Sequence, residues 1–260
     1  MARYKLICSY DGYNYMGFQI QNALPTIELE INKAFYKLCN EEVKIYPSGR
    51  TDRYVHAVGQ VFHVDLKSNI PPLGVQKGLN SFLPKDIYIK NCELVNDDFH
   101  ARFSAIQKEY RYYINTKEYN PLTLRYMPYI PNLDIDRMRE GVLLLIGTHD
   151  FKGFASASID PRKSTIKTIF DIQIIPFEDH LEFRFIGDGF LKYQIRRMMG
   201  ILVEIGKHHF EPSKISEILE SKNPCDSKYI LDGCGLYLFQ VKYQCYSKGI
   251  TLLEDRNESI

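Results

Sequence analysis

From Tyr4 to Tyr10 apolar and polar side chains alternate and then meet Asp11-Gly12, the pattern of a half-buried strand running into a turn. The period then changes to that of a helix. Ile27, Ile31, Ala34, Phe35 and Leu38 recur at helical spacing behind Thr26, a suitable N-cap, and Glu28 and Glu30 fall in the first turn, where the helix dipole favours negative charge. Val43 to Tyr46 and Val55 to Leu66 read as strands, the second alternating Val61, His63 and Asp65 against Phe62, Val64 and Leu66. Pro71-Pro72 opens a short helix through Leu79, Pro84 closes it, and Ile87 to Leu94 returns as a strand. The first part of the chain is thus predicted as βαββαβ.

A second pattern begins at Lys108. It contains a strand from Tyr110 to Asn115, a long loop near Pro121 to Pro131, and a helix from Asp134 to Ile146 carrying Met138, Val142, Leu143 and Leu145. Strands Ile166 to Ile175 and Leu181 to Ile186 follow, then helices Leu191 to Ile205 and Ser213 to Leu219, and a strand Leu236 to Tyr243. The order loosely echoes the first part without a residue-level repeat. This predicts an α+β protein of two lobes, each a largely antiparallel sheet backed by helices, meeting at a central cleft. The expected division is residues 1–105, residues 106–250 and a tail of residues 251–260.

Composition excludes several classes. A hydrophobic content of 45% with 25% charged residues is that of a folded globular chain, not a disordered one. Met1-Ala2-Arg3-Tyr4-Lys5-Leu6 lacks the apolar core of a signal peptide, and no later stretch approaches the roughly 18 apolar residues of a membrane span, so a cytoplasmic protein is expected. Cys8, Cys39, Cys92, Cys225, Cys234 and Cys245 lie far apart with no C-x-x-C pair, which argues for reduced thiols over zinc ligands or disulfides. The net charge of +1 gives little general attraction for a polyanion. Only local clusters could supply it: Lys108 with Arg111, then Arg162, Lys163 and Lys167, then Lys192, Arg196 and Arg197. Each cluster alone reads equally as solvated surface.

The segment with chemical content is Gly49-Arg50-Thr51-Asp52-Arg53-Tyr54-Val55-His56-Ala57, between two predicted strands. If it is extended, Arg50 and Asp52 project to one side, and a cation beside a carboxylate keeps it ionised at neutral pH. An ionised, partly desolvated aspartate can act as nucleophile or as general base. A turn with a structural ion pair is the plainer account of so short a string.

The surrounding blocks decide between these. The segment resembles the G-R-T-D-A-G-V-H-A signature of TruA-type tRNA pseudouridine synthases, and Tyr10-Asp11-Gly12 with Tyr15, Gly17 and Gln19 is similar to that family's Y-D-G-x-x-Y-x-G-x-Q. Phe99-His100-Ala101-Arg102-Phe103-Ser104-Ala105 resembles F-H-A-R-F-S-A. Tyr110-Arg111-Tyr112 resembles the end of R-x-Y-x-Y, with Lys108 in place of the arginine. Gly147-Thr148-His149-Asp150-Phe151, Phe190-Leu191 with Arg196 and Gly200, and Gly235-Leu236-Tyr237-Leu238 extend the resemblance over nearly the whole chain in the family's order.

The resemblance implies the pseudouridine synthase fold and conversion of uridine to pseudouridine in the anticodon stem and loop of tRNA, by a homodimer without a cofactor. It implies that Asp52 is the catalytic carboxylate, that Arg50 pairs with it and holds the target nucleotide out of the stack, and that Tyr110 packs on the target base. Arg196 would be a second cation beside Asp52, and Leu236 would line the uracil pocket. Arg53, Lys163, Lys167 and Arg197 are the expected phosphate contacts. No metal site is expected, since His56, His63 and His100 form no ligand set and read as hydrogen-bonding core or loop residues.

Three departures stand out. Arg53-Tyr54 replaces the family's small Ala-Gly pair, Lys228 to Cys234 lacks the T-A-P-A lead into G-L-Y-L, and Phe18 stands where tryptophan is common. Two other readings remain: a non-catalytic RNA-binding paralogue, and a hydrolase pairing Asp52 with Asp65 or Asp150.

Overall fold

The computed structural model describes residues 1–21, 24–160, 162 and 164–244. Its elements are β1 (Ala2–Tyr10), α1 (Ile27–Cys39), β2 (Tyr46–Pro47), β3 (His56–Leu66), α2 (Pro72–Phe82), β4 (Ile87–Val95), β5 (Ala105–Asn115), α3 (Ile135–Leu143), β6 (Gly147–Asp150), β7 (Ile166–Pro176), β8 (His180–Gly187), α4 (Gln194–Gly206), α5 (Lys214–Ser221) and β9 (Leu236–Tyr243).

The alternation seen in the sequence sets the sheet's inward face. In β1 the residues Tyr4, Leu6, Cys8 and Tyr10 are buried, and the strand pairs antiparallel with β3 on one side and β4 on the other. Thr26 caps α1 by accepting from the Leu29 N–H, and the helix buries Ile27, Ile31, Ala34 and Phe35 as its spacing predicts. Asp134 caps α3 in the same way through the Arg137 N–H at 3.1 Å. α1 packs on α2, α2 on β4, and α3 on α4 and β7. Burying each large apolar side chain of this core contributes about 1.5–3 kcal/mol.

The expected α+β class with largely antiparallel strands is what the chain adopts, but the two lobes share one sheet. Its order is β4-β1-β3-β9-β5-β8-β7-β6, with β2 also paired to β3. The joint is β9, which runs parallel to β3 at His56↔Tyr237 and Ala57↔Leu238 and antiparallel to β5 along its length. One hydrophobic core runs through both parts, from Tyr4, Phe35 and Phe62 to Tyr112, Phe183 and Leu202. The proposed boundary at residue 105 falls at the first residue of β5, and the tail of residues 251–260 lies outside the described residues.

Smaller differences have local causes. Of the strand expected from Val43, only Tyr46 and Pro47 pair, while Ile45 is simply buried: a short apolar run reports burial, not ladder pairing. β6 was not expected, because its polar sequence has no hydrophobic period, and it pairs at the sheet's edge as His149↔Lys167 and Asp150↔Ile166. α4 begins at Gln194, later than expected, because Tyr193 takes a left-handed conformation (φ 69°) that helix interiors exclude.

Candidate active site

Asp52 lies in a loop between β2 and β3 that is anchored from three strands. The Ser48 N–H donates to the Val61 carbonyl (2.7 Å), and the Ser48 hydroxyl donates to Gln60 Oε1 (2.8 Å). Gln60 Nε2 donates to the Gly49 carbonyl (2.8 Å), and the Lys108 ammonium on β5 donates to the Ser48 carbonyl. Further along, Thr51 Oγ1 shares a hydrogen bond with the Tyr10 hydroxyl (2.8 Å), and the Thr51 carbonyl accepts from the Phe18 N–H (3.1 Å). Gly17 explains the glycine in the first turn: it has φ +98°, and a Cβ there would lie 2.8 Å from the Thr51 carbonyl oxygen.

The loop then turns sharply. The Val55 N–H donates to the Asp52 carbonyl (3.2 Å), closing a four-residue turn whose third residue, Tyr54, has φ 66°. Glycine is the ordinary occupant of that position, as in the Ala-Gly of the resembled signature. A tyrosine there costs about 1–2 kcal/mol of backbone strain.

Asp52 faces cations from elsewhere in the chain. Its side chain is 23% exposed, and Arg196 Nη1 on α4 stands 3.7 Å from Oδ2. Arg196 is itself held by Nε donating to the Leu231 carbonyl at 2.7 Å. Burial pushes the Asp52 carboxyl above its ordinary value, and the positive charges of Arg196 and Lys192 oppose that shift. Tyr110 on β5, 8% exposed, completes the group with its ring edge-to-face with Phe190 at 5.4 Å. Burial and the Asp52 charge both hold its phenol protonated. The arrangement is a confined carboxylate beside two cations and an aromatic wall, suited to a base or nucleophile acting on a planar ring.

Not every expected residue joins it. Arg50 is exposed and makes no hydrogen bond or ion pair among the described residues, so it is available to substrate instead of serving as the partner of Asp52. Arg197 is tied within the protein, its Nη1 donating to the Pro224 carbonyl and to Ser227 Oγ (3.0 Å). Lys167 lies close enough to Lys108 to help push that buried ammonium down to about 8, after burial itself and Arg102. Lys163 lies outside the described residues. Leu236 is buried at the start of β9, opposite Tyr112.

The carboxylates of the hydrolase reading are committed elsewhere, Asp65 to Arg3 at 2.7 Å and Asp150 to Lys222 at 3.2 Å. The histidines act as acceptors: His56 Nδ1 takes the Gly12 N–H (3.1 Å) and His63 Nδ1 the Ala101 N–H (3.2 Å).

Sequence reading missed Gln60 and Lys192 as site residues. The signal for Gln60 was a polar residue inside an apolar strand, and it is fully buried. Gln60→Leu leaves the Ser48 hydroxyl and the Gly49 carbonyl without their partner, at a cost of about 1–3 kcal/mol. We expect a lower melting temperature together with a single-turnover rate at least about tenfold slower, as loop position degrades. An unchanged rate at saturating substrate would show that this network does not position Asp52.

The comparisons with known proteins agree with one another. The family described as tRNA pseudouridine synthase matches residues 6–104 and 142–244. The tRNA pseudouridine synthase A of Exiguobacterium sp. strain AT1b is 39% identical over 247 residues, covering 94% of this chain and 99% of the relative. The protein of the same name from Leuconostoc citreum is 42% identical over 255 residues, covering 94% and 98%. From Bacillus cereus, tRNA pseudouridine synthase A 1 is 39% identical over 246 residues, covering 94% and 99%.

Proposed function

Since this chain belongs to the tRNA pseudouridine synthase family, we propose that Asp52 is the carboxylate that carries its reaction. The chain is an isomerase acting on uridine in tRNA. The observation supporting the Asp52 assignment is the pairing of a mostly buried Asp52 with Arg196 at 3.7 Å, beside the Tyr110 ring.

Isomerisation breaks the bond from sugar C1′ to uracil N1, turns the base, and joins C1′ to C5; the proton lost from C5 is balanced by the one gained at N1. Asp52 serves either by attacking a carbon of the nucleoside or by taking a proton from the sugar. In both roles the ionised form is required. Arg196 and Lys192 favour that form against the cost of burial. The target base must leave its stack, at a cost of a few kcal/mol. Exposed Arg50 fills the vacated space, and Tyr110 with Leu236 receives the uracil, stacking being worth roughly 1–3 kcal/mol.

The finer assignments complete the reading. The target uridines lie in the anticodon stem and loop, the enzyme works as a cytoplasmic homodimer, and Lys163 and Lys167 contact phosphates. No helix among the described residues is long and apolar enough to cross a membrane.

The decisive experiment incubates purified protein with an unmodified tRNA transcript, maps pseudouridine, and measures free uracil in parallel. Pseudouridine without uracil release is expected; uracil release would establish a hydrolase, and neither product would establish a binding paralogue.

A carboxylate ringed by cations is a poor metal ligand, so catalysis should survive exhaustive EDTA dialysis once tRNA folding is supported by monovalent salt or polyamine. Activity that is lost and restored only by one particular metal would refute this.

A further inference from the structure

Arg53 and Tyr54, which replace the family's small pair after Asp52, join a connected surface with Tyr13 and Arg125. The Arg53 guanidinium lies over the Tyr54 ring at 4.2 Å from its centroid. Tyr54 stacks on Tyr13 at 5.4 Å with a 29° interplanar angle, and the Arg125 guanidinium lies over Tyr13 at 4.1 Å. Three segments distant in sequence thus join as a cation, two tyrosines and a second cation. Both arginines are exposed, and Tyr13 is 39% exposed.

A guanidinium laid over a ring keeps its in-plane N–H groups free and loses the mobility that an arginine would otherwise surrender on binding. Arg125 is further fixed by its backbone, whose carbonyl accepts from His56 Nε2 at 3.2 Å. Asp11 Oδ2 stands 4.0 Å from Arg125 Nη2 and partly offsets its charge. Arg53 has no acidic partner among the described residues, so it is the stronger anion site of the two. The strained Tyr54 is retained where glycine would relax the turn, which points to a use for its ring.

Building on the proposed function, we propose that Arg53, Tyr54, Tyr13 and Arg125 form a preorganised phosphate-binding edge that takes the tRNA backbone flanking the target uridine. The tyrosines hold the guanidiniums, and the guanidiniums hold the phosphates. The occupant is the strand leading into the site, because Arg53 is the residue next to Asp52 and a strand whose base enters the site must carry its neighbouring phosphates past that rim. This edge gives a chain of net charge +1 a local grip that its overall field lacks.

The test uses a tRNA transcript that the wild-type protein converts, so that failure of the enzymatic reading shows first, as no pseudouridine from wild type. With conversion secured, tRNA affinity is measured across a salt series for Arg53→Ala, Tyr54→Gly and Arg125→Ala, alongside melting temperature. Arg53→Ala is expected to weaken binding about fivefold and lower the log–log salt slope by about one, with the loss in kcat/KM carried by KM. Arg125→Ala should lose less, since Asp11 already offsets its charge. Tyr54→Gly should leave the melting temperature close to wild type, since the relaxed turn offsets the lost ring contacts, and yet weaken binding about threefold, a combination that a merely structural tyrosine would not produce. Arg53→Lys, which keeps the charge without the planar fork, should recover only part of the affinity. Unchanged affinity and salt slope in Arg53→Ala and Tyr54→Gly would overturn the proposal, as would a change in self-association of the free protein with RNA binding intact.

Discussion

Asp52→Asn is expected to abolish pseudouridine formation, by about 10⁴-fold or more, while tRNA binding and folding stay close to wild type. The substitution preserves volume and removes only the charge and the basicity on which either chemical role depends. Stability should change little because two effects oppose. The carboxyl's raised pKa means that its ionised form weighs against the fold at neutral pH, so removing it is favourable, whereas Arg196 loses the countercharge 3.7 Å away. The measurement is single-turnover conversion of a saturating enzyme–tRNA complex, with filter binding and thermal melting on the same preparation. Appreciable turnover by a preparation free of wild-type enzyme would overturn the assignment of Asp52.

Arg196→Gln is expected to slow the same step by about 10²-fold at neutral pH and to move the acid limb of its pH profile upward. The sign follows from the electrostatics: Arg196 favours the ionised carboxylate, so its removal leaves burial less opposed and raises the pKa further. The active fraction is then lost at a higher pH on acidification. Lys192 remains as the second opposing charge, which keeps the shift finite. Arg196→Lys separates charge from placement, since an ammonium restores the acid limb but cannot reproduce the tie of Nε to the Leu231 carbonyl. An acid limb that stays in place in Arg196→Gln would show that Arg196 positions the loop and does not tune the carboxylate.

Much of this protein was legible without tertiary structure. Local physics determined α1 and α3, since Thr26 and Asp134 cap them by their own side chains and the apolar spacing of α1 is buried as read. The strands with a clear period of two formed as expected, and the loop from Gly49 to Val55, with the other motif blocks, carried enough pattern to identify the family. These features depend on neighbours within a few residues, or on motif blocks whose order along the chain is itself information.

What only the fold decided are the relations between distant segments. No local period says that β9 will slot between β3 and β5 and turn two expected sheets into one, because strand pairing depends on which edges remain open once the rest of the chain is in place. Which cation meets Asp52 could not be read from spacing alone: Arg50, two residues away, makes no ion pair among the described residues, whereas Arg196, placed there only by the family resemblance, arrives from α4. Arg196 and Arg197 are adjacent in sequence, yet successive helical residues lie about 100° apart around the axis, so one faces the carboxylate and the other is tied to Pro224 and Ser227. Charge and residue type are properties of the sequence. Which charges meet is a property of packing, because Coulomb energies depend on separations and burial that the chain acquires only when its distant parts close on one another.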